Sequence, residues 1–406
     1  MSNSMQSPST IRSRFPIFAK YPGLAYLDNA ATTQKPDVVI EGIYRFYTEE
    51  NANIHRGIYP LAAKATALYE ESRNKIQVFI KAPQRQEIIF TAGATAAINL
   101  VAQSFTGARL KAGDRVLITA MEHHANLIPW QMVCQRAGAE LCIIPMNAAG
   151  TLDLQAYQSL LSPRTKMVAL VHISNTLGTI NPIEEMIDMA HHRQIPILID
   201  AAQSVAHYPI DVQSLDCDFL VFSGHKLFGP TGIGVLYGKT AHLETMEPYQ
   251  FGGDMIKDVT FEKTTFAGLP NKFEAGTPNI AGAVGLGYAI DFLHELDRNA
   301  ALEQLKALSD YAHEVLAGIN GLRIIGTATR KSAIISFTME GVHPHDMATF
   351  LGEENIALRA GHHCTQPIMD FYNIPATIRA SFSIYNNKDE VDRLVQTLKD
   401  IQTFFA

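Results

Sequence analysis

Five places along the chain put side chains capable of chemistry directly after a short apolar run: Thr91 to Thr95, Glu122-His123-His124, Ser174-Asn175, Asp200-Ala201-Ala202-Gln203 and Ser223-Gly224-His225-Lys226. If those runs are strands of an open parallel sheet, the residues gather in the crevice beyond the carboxyl ends, where such sheets bind ligands. Lys226 follows the apolar run Cys217 to Phe222 and stands beside little competing charge. A lysine desolvated in this way loses its proton more readily and can form a Schiff base with a carbonyl, whereas a solvated surface lysine is the ordinary alternative. Asp200, after Ile195 to Ile199, can keep a proton on a ring nitrogen or serve only as a helix cap. Gln203 can reach a ring oxygen, and His123 can stack on an aromatic ring. The small residues of Thr91-Ala92-Gly93-Ala94-Thr95 lead into a helix expected near Ala96. There, backbone N–H groups and the helix dipole can approach a phosphate, or the segment can be a plain strand-to-helix turn.

Cys364 sits in Arg359-Ala360-Gly361-His362-His363-Cys364-Thr365-Gln366-Pro367, where Gly361 frees the backbone and neighbouring cationic groups favour a thiolate. The other three cysteines suit burial: Cys134 on a helical pattern, Cys142 in an apolar strand and Cys217 at a strand start. None forms a C-x-x-C pair or a zinc spacing, so reduced, independent thiols are expected. The pairs His123-His124, His191-His192 and His362-His363 raise a metal centre, but no H-E-x-x-H is present and adjacent strand residues face opposite ways, so no metal is expected. His191-His192 is read as a solvated helix face.

The elements that must hold these groups are legible as an alternation. Glu87 to Phe90, Arg115 to Thr119, Leu141 to Pro145, Met167 to Val171, Ile197 to Ile199 and Phe219 to Phe222 read as strands. Ile183, Met186, Ile187 and Ala190 after Pro182, and Leu154, Tyr157 and Leu161 after a capping Asp153, read as helices. Apolar strands separated by helices predict an α/β fold with a mostly parallel sheet covered on both faces. Beyond Gly276, helical patterns run to Gly318, and a smaller α+β C-terminal domain follows, with strands at Ser332 to Phe337 and Ile378 to Ile384. Its last helix starts at a capping box of Asn387 and Glu390, and Val391, Leu394, Val395 and Leu398 form the buried stripe.

The 406 residues leave room for two or three domains, and 47% hydrophobic with 18% charged residues describes an ordinary globular protein. A formal charge of -7 gives no basic field for nucleic acid or anionic lipid. The Ser-rich stretch Met1 to Arg14 lacks the apolar core of a signal peptide and no apolar run is long enough to span a membrane, so no membrane association and a cytoplasmic location are expected.

Leu27-Asp28-Asn29-Ala30-Ala31-Thr32-Thr33, the Asp200-to-Gln203 step, Ser223-Gly224-His225-Lys226 followed by Gly229-Pro230-Thr231-Gly232, and Arg359 to Pro367 together resemble the cysteine desulfurases, nearly end to end. The compact Gly361-His362-His363-Cys364 segment, without a longer insertion, is similar to the group II enzymes of the SUF sulfur-mobilisation system. The resemblance implies a pyridoxal-phosphate enzyme of fold type I in the class V aminotransferase superfamily. Its large cofactor-binding domain would span 21–294, and 1–20 with 295–406 would form a small domain carrying the catalytic cysteine loop. It implies that Lys226 bonds the cofactor, Asp200 pairs with the ring nitrogen, His123 stacks on the ring and Gln203 meets its phenolic oxygen. Thr95, Ser223 and His225 would hold the phosphate, joined by Thr277 of the other subunit of a homodimer. Asn175 and Arg379 would take the substrate carboxylate, and Cys364 the sulfur. The implied reaction converts L-cysteine to L-alanine and an enzyme persulfide that passes to a SUF acceptor protein for iron-sulfur cluster assembly, with L-selenocysteine a second substrate. Thr365, Tyr59 and Ala96 depart from the family pattern and leave rate and acceptor preference open.

Two other readings compete. A plain aminotransferase or kynureninase-like lyase of the same superfamily leaves Cys364 idle, and a non-catalytic sulfur-relay scaffold leaves both Lys226 and Cys364 unexplained. A nicotinamide dehydrogenase fails on spacing, because Gly229, Gly232 and Gly234, or Gly282, Gly285 and Gly287, run G-x-x-G-x-G rather than G-x-G-x-x-G.

Overall fold

The structure, a computed structural model, describes residues 8–405. Met1 to Ser7 of the Ser-rich stretch, and with them part of the 1–20 segment, lie outside the described residues.

The six expected strands all form, within a residue or two of their sequence bounds, and a seventh joins them. In spatial order the large sheet runs Ile88–Thr91, Gly234–Gly238, Phe219–Ser223, Ile197–Asp200, Thr165–Val171, Arg115–Thr119 and Glu140–Ile144. Six strands are parallel to one another, and Gly234–Gly238 runs antiparallel to both its neighbours. That strand is absent from the sequence reading because its three apolar residues, Val235 to Tyr237, make a short run bounded by glycines. Successive residues along a strand fall into two different cores: Leu117, Val168, Leu170, Ile199 and Leu220 into one, Val116, Ile118, Ala169, Leu198 and Val221 into the other. Both faces of the central strands are therefore dry, which is why these strands read as unbroken apolar runs, while the edge strand Glu140–Ile144 leaves Ile143 exposed.

The helices follow their sequence signals. Asp153 accepts from the Ala156 N–H at 2.9 Å to cap Leu154–Leu160. The capping box at the last helix, Lys388–Phe405, closes in both directions, Asn387 N to Glu390 Oε2 at 3.0 Å and Glu390 N to Asn387 Oδ1 at 3.1 Å. Val391, Leu394 and Leu398 are buried, and Val395 packs against the same core half-exposed.

A second, antiparallel sheet orders Leu322–Ile325, Ile334–Met339, Thr377–Ser381 and Arg359–Gly361. Ala25–Tyr26 pairs in parallel with Ile356–Ala357 beside it. Arg359 and Arg379 are register partners across the last strand pair. Phe15 ties the N-terminal turns to both bodies, its ring 4.6 to 5.9 Å from those of Phe228, Phe292 and Tyr385.

The segment that carries Thr277 is anchored from behind by a buried ion pair. Arg73, 0% exposed, donates to both Glu274 oxygens at 2.7 and 2.9 Å and to the Ile88 carbonyl at 2.8 Å, while Tyr69 Oη donates to Glu274 Oε2 at 2.8 Å. Glu274→Ala should leave the desolvated guanidinium with only the more exposed Glu70, whose Oε2 lies 3.1 Å from its Nε, and with the Ile88 carbonyl, at a cost of up to about 3 kcal/mol. The expected result is a clearly lower urea midpoint, and an unchanged midpoint would show that the pair contributes nothing net.

Candidate active site

A cleft of about 220 Å³ at the carboxyl edge of the large sheet draws together every site residue expected from the sequence except Thr277. Thr95, His123, Asn175, Asp200, Gln203, Ser223, His225 and Lys226 come from strand ends of the large sheet, and Cys364 and Arg379 from the small one. Thr277 is exposed and does not line the cleft of its own chain.

One end of the cleft is built for an anion. The helix starts at Ala94, two residues earlier than expected, and Gly93 with φ +154 makes the turn into it. Gly234, in register with both Thr91 and Ser223, lets that turn approach, since a Cβ there would lie 2.5 Å from the Gly93 Cα. Ser223 Oγ accepts from the Ala94 N–H at 2.8 Å, which leaves its own O–H free to donate. Thr95 stands in the first helical turn beside it, and His225 follows Ser223.

Burial sets the charges. Lys226 is pulled down to about 8, chiefly by desolvation, with the Asp200 carboxylate opposing and Arg379 assisting. It is thus less isolated from charge than its sequence neighbours imply. Burial also raises the Asp200 carboxyl, opposed by the Ala202 N–H that its Oδ1 accepts at 2.9 Å and by Lys226. His123 is lowered to about 3 and His225 to about 4, again mainly by desolvation, so both rings are neutral at physiological pH. The Gln203 amide donates to the Ala30 carbonyl at 2.8 Å.

At the other end Arg359 and Arg379 face each other across two strands, an arrangement of like charges that an anion between them relieves. Arg379, 1% exposed, donates from Nη2 to Asp28 Oδ1 and from Nη1 to the Asn175 carbonyl, both at 3.0 Å. Its Nε and the Asn175 Oδ1 are buried without a hydrogen-bond partner. Asn175 Nδ2 donates to the His363 carbonyl at 2.7 Å.

Cys364 reaches the cleft on a tight loop. Gly361 has φ +126, and His363 and Cys364 are both left-handed, at φ +52 and +58, a conformation that costs non-glycine residues energy and needs external contacts to persist. Those contacts are present. The His124 N–H donates to the Cys364 carbonyl at 2.8 Å, the Gln366 N–H donates to His124 Nε2 at 3.1 Å, and the Thr365 and Thr176 hydroxyls meet at 2.6 Å. The unusual Thr365 is therefore a fastening of the loop to the large body. Tyr59 instead lies half-exposed just before the helix Pro60–Phe79, and Ala96 is half-buried.

The cationic groups expected around Cys364 are arginines rather than His363, which is 4% exposed and lowered by burial to about 2. One expectation is corrected: His191 is not a solvated face, since its Nε2 meets Asp218 Oδ2 at 2.9 Å alongside His242 and Lys239, which bond the other oxygen. Asp28 and Arg359, which had no role in the sequence reading, join the site. Asp28 lies 351 residues from Arg379, so no local spacing signals their contact.

This constellation, on a mostly parallel sheet with a smaller antiparallel partner, defines a class. The aminotransferase class-V family matches residues 25–394, and the chain belongs to that family and, within it, to the cysteine desulfurases. It is 48% identical over 397 residues to a probable cysteine desulfurase of Vibrio cholerae, covering 97% of this chain and 98% of that protein. To the cysteine desulfurase of Enterobacter sp. strain 638 it is 47% identical, covering 96% and 97%. The structure of the Escherichia coli cysteine desulfurase CsdA superposes with a TM-score of 0.93 at 40% identity, over 99% of this chain and 100% of that one. No helix among the described residues is long and apolar enough to cross a membrane.

The family depends on pyridoxal phosphate, and the donor set fits that molecule. The free Ser223 hydroxyl with Thr95 and His225 suits the phosphate, the buried Asp200 carboxyl suits a protonated ring nitrogen, and a lysine at about 8 suits the aldehyde.

Proposed function

We propose that this protein takes sulfur from L-cysteine, releases L-alanine and carries the sulfur on Cys364 to an acceptor protein for iron-sulfur cluster assembly, as a group II enzyme of the SUF system. The observation that carries this reading is a single cleft holding a desolvated lysine, a buried carboxyl and a thiol contributed by the other sheet. The compact Arg359-to-Pro367 segment supports the group II assignment. In the same reading 21–294 is the cofactor-binding body, and 1–20 with 295–406 carries the cysteine. A homodimer brings the exposed Thr277 of one chain to the phosphate end of the other, and the enzyme works in the cytoplasm.

Bound in the cleft, pyridoxal phosphate supplies an electron sink for the pair left when a substrate Cα loses its proton. Lys226 would hold it covalently, and the free Nζ would be the base that takes the substrate Cα proton. Asp200 would keep a proton on the ring nitrogen, and His123, a neutral imidazole, would meet the ring. Arg379 and Arg359, with the spare Asn175 N–H, hold the substrate carboxylate. Cys364 Sγ, as thiolate, then attacks the substrate sulfur. The S–S bond forms as the C–S bond breaks, the C–S electron pair stays on Cβ, and protonation at Cβ together with return of the proton from Lys226 Nζ to Cα gives L-alanine and leaves Cys364 as a persulfide.

Purified yellow protein given L-cysteine should form L-alanine in step with sulfide or protein-bound persulfide. A keto acid instead would indicate a transaminase, and no product a relay scaffold. Asp200→Ala should slow exchange of the L-alanine Cα hydrogen with deuterated water by roughly 10²-fold or more, because the ring nitrogen loses the group that holds its proton. Unchanged exchange and cofactor absorbance would reduce Asp200 to the cap of the Ala202 turn.

A further inference from the structure

The mechanism leaves one fully buried carboxyl unused. Glu122, 2% exposed and directly before His123, joins three elements. Its Oε1 accepts from Thr119 Oγ1 at 2.7 Å and from the Val171 N–H at 2.8 Å, at the ends of two adjacent strands. Its Oε2 accepts from Asn126 Nδ2 at 2.6 Å, in the short helical turn His124–Asn126 that His123 opens. Asn126 is itself 0% exposed, and its Oδ1 accepts from Trp130 Nε1 at 2.9 Å. Trp130 is the only tryptophan in the chain. His123 caps the turn, Nδ1 accepting from the Ala125 N–H at 3.0 Å, so the neutral ring carries its proton on Nε2.

The geometry points to Glu122 as a positioning residue: by clamping Asn126 to the sheet edge it fixes the turn that holds His123 at the cleft, and through Asn126 it couples that turn to Trp130. This rests on His123 being the residue that meets the cofactor ring. Every bond in the chain has a fixed direction. Trp130 only donates, so Asn126 must offer it oxygen, and the Asn126 amide must then find an acceptor, which Glu122 is. In Glu122→Gln one donor meets another. The new amide N–H₂ faces the Asn126 amide, or it turns onto the Val171 N–H at the strand end, or Asn126 flips and presents N–H₂ to the Trp130 N–H; each placement sets a donor against a donor within the clamp. Adding Asn126→Asp restores each direction, since the new carboxylate accepts from the glutamine amide and from Trp130, and net charge is conserved.

The test compares parent, Glu122→Gln and the Glu122→Gln/Asn126→Asp double variant as holoenzymes, reading kcat and KM for L-cysteine, with Trp130 emission recorded on both holo and cofactor-free protein. A misplaced turn should cut kcat by about 10- to 100-fold in Glu122→Gln with KM nearly unchanged, and shift Trp130 emission. The double variant should recover both. Parental kcat in Glu122→Gln, or a double variant that recovers emission without kcat, overturns the inference. If Glu122→Gln alone gives no folded protein, a folded and active double variant still supports it and an unfolded one overturns it. Failure of the functional reading looks different: the parent then carries no pyridoxal phosphate absorbance, whereas the emission comparison on cofactor-free protein is unaffected.

Discussion

Lys226→Ala should lose at least about 10³-fold of its desulfuration rate, because in the proposed mechanism the substitution removes both the covalent anchor of the cofactor and the base that moves the Cα proton. The amine is suited to both tasks by its surroundings. Desolvation brings it down to about 8, so a useful fraction is neutral near physiological pH, while Asp200 limits the fall. The Ser223, Thr95 and His225 end of the cleft is untouched by the change, so pyridoxal phosphate should still bind without a covalent link. Borohydride reduction followed by peptide mapping separates these statements. In the parent the cofactor should be fixed to the Lys226 peptide, and in the variant to none. Fixation at another lysine, Lys35 for example, whose own amine is lowered to about 7 by burial beside the His225 carbonyl, would transfer the role away from Lys226.

Much of the fold was legible in the sequence because the central strands of the large sheet are dry on both faces. Each strand then becomes a continuous apolar run, and the residue that ends the run must lie at an edge. That reasoning located Asp200, Ser223 and Lys226 without any knowledge of pairing. It missed Gly234–Gly238, where three apolar residues between glycines give too short a signal. It also misread His191, whose partner Asp218 lies 27 residues away at the opposite end of the neighbouring strand, where helical periodicity says nothing.

The site was legible where it is local and illegible where it depends on the two sheets meeting. The anion corner follows from small residues at a strand-to-helix turn. The arginine pair needs the register of Arg359–Gly361 against Thr377–Ser381, and the Asp28 contact needs the chain's beginning to lie beside its end. Charge states were also beyond the sequence: next to Cys364, two adjacent histidines suggest a cationic neighbourhood, but burial keeps His363 neutral. Loop anchoring is a third case, since nothing in the spacing shows that His124 and Thr176 hold the cysteine loop in a left-handed conformation.

Because the groups proposed to hold the cofactor and the thiol proposed to take the sulfur come from different sheets, the two halves of the chemistry should separate in Cys364→Ser. The Lys226 end remains intact, so L-cysteine should still displace the lysine and change the cofactor absorbance. No thiolate is then left to take the sulfur, and a hydroxyl is a far weaker nucleophile at neutral pH. L-alanine formation from L-cysteine should fall by about 10³-fold or more. L-selenocysteine should suffer much less, because its selenol ionises more readily and its carbon–selenium bond is weaker, so selenium can leave without an attacking thiolate. The loop should keep its shape, since the backbone carbonyl of residue 364 still accepts from the His124 N–H and the Thr365–Thr176 bond does not involve the sulfur. Mass spectrometry of the parent after brief exposure to L-cysteine should find one added sulfur on the peptide containing Cys364. The other thiols are poor candidates, as burial pushes Cys134 up to about 11 and Cys217 higher still. Sulfur found on Cys134, Cys142 or Cys217, or equal losses with both substrates in the serine variant, would remove Cys364 from the transfer step.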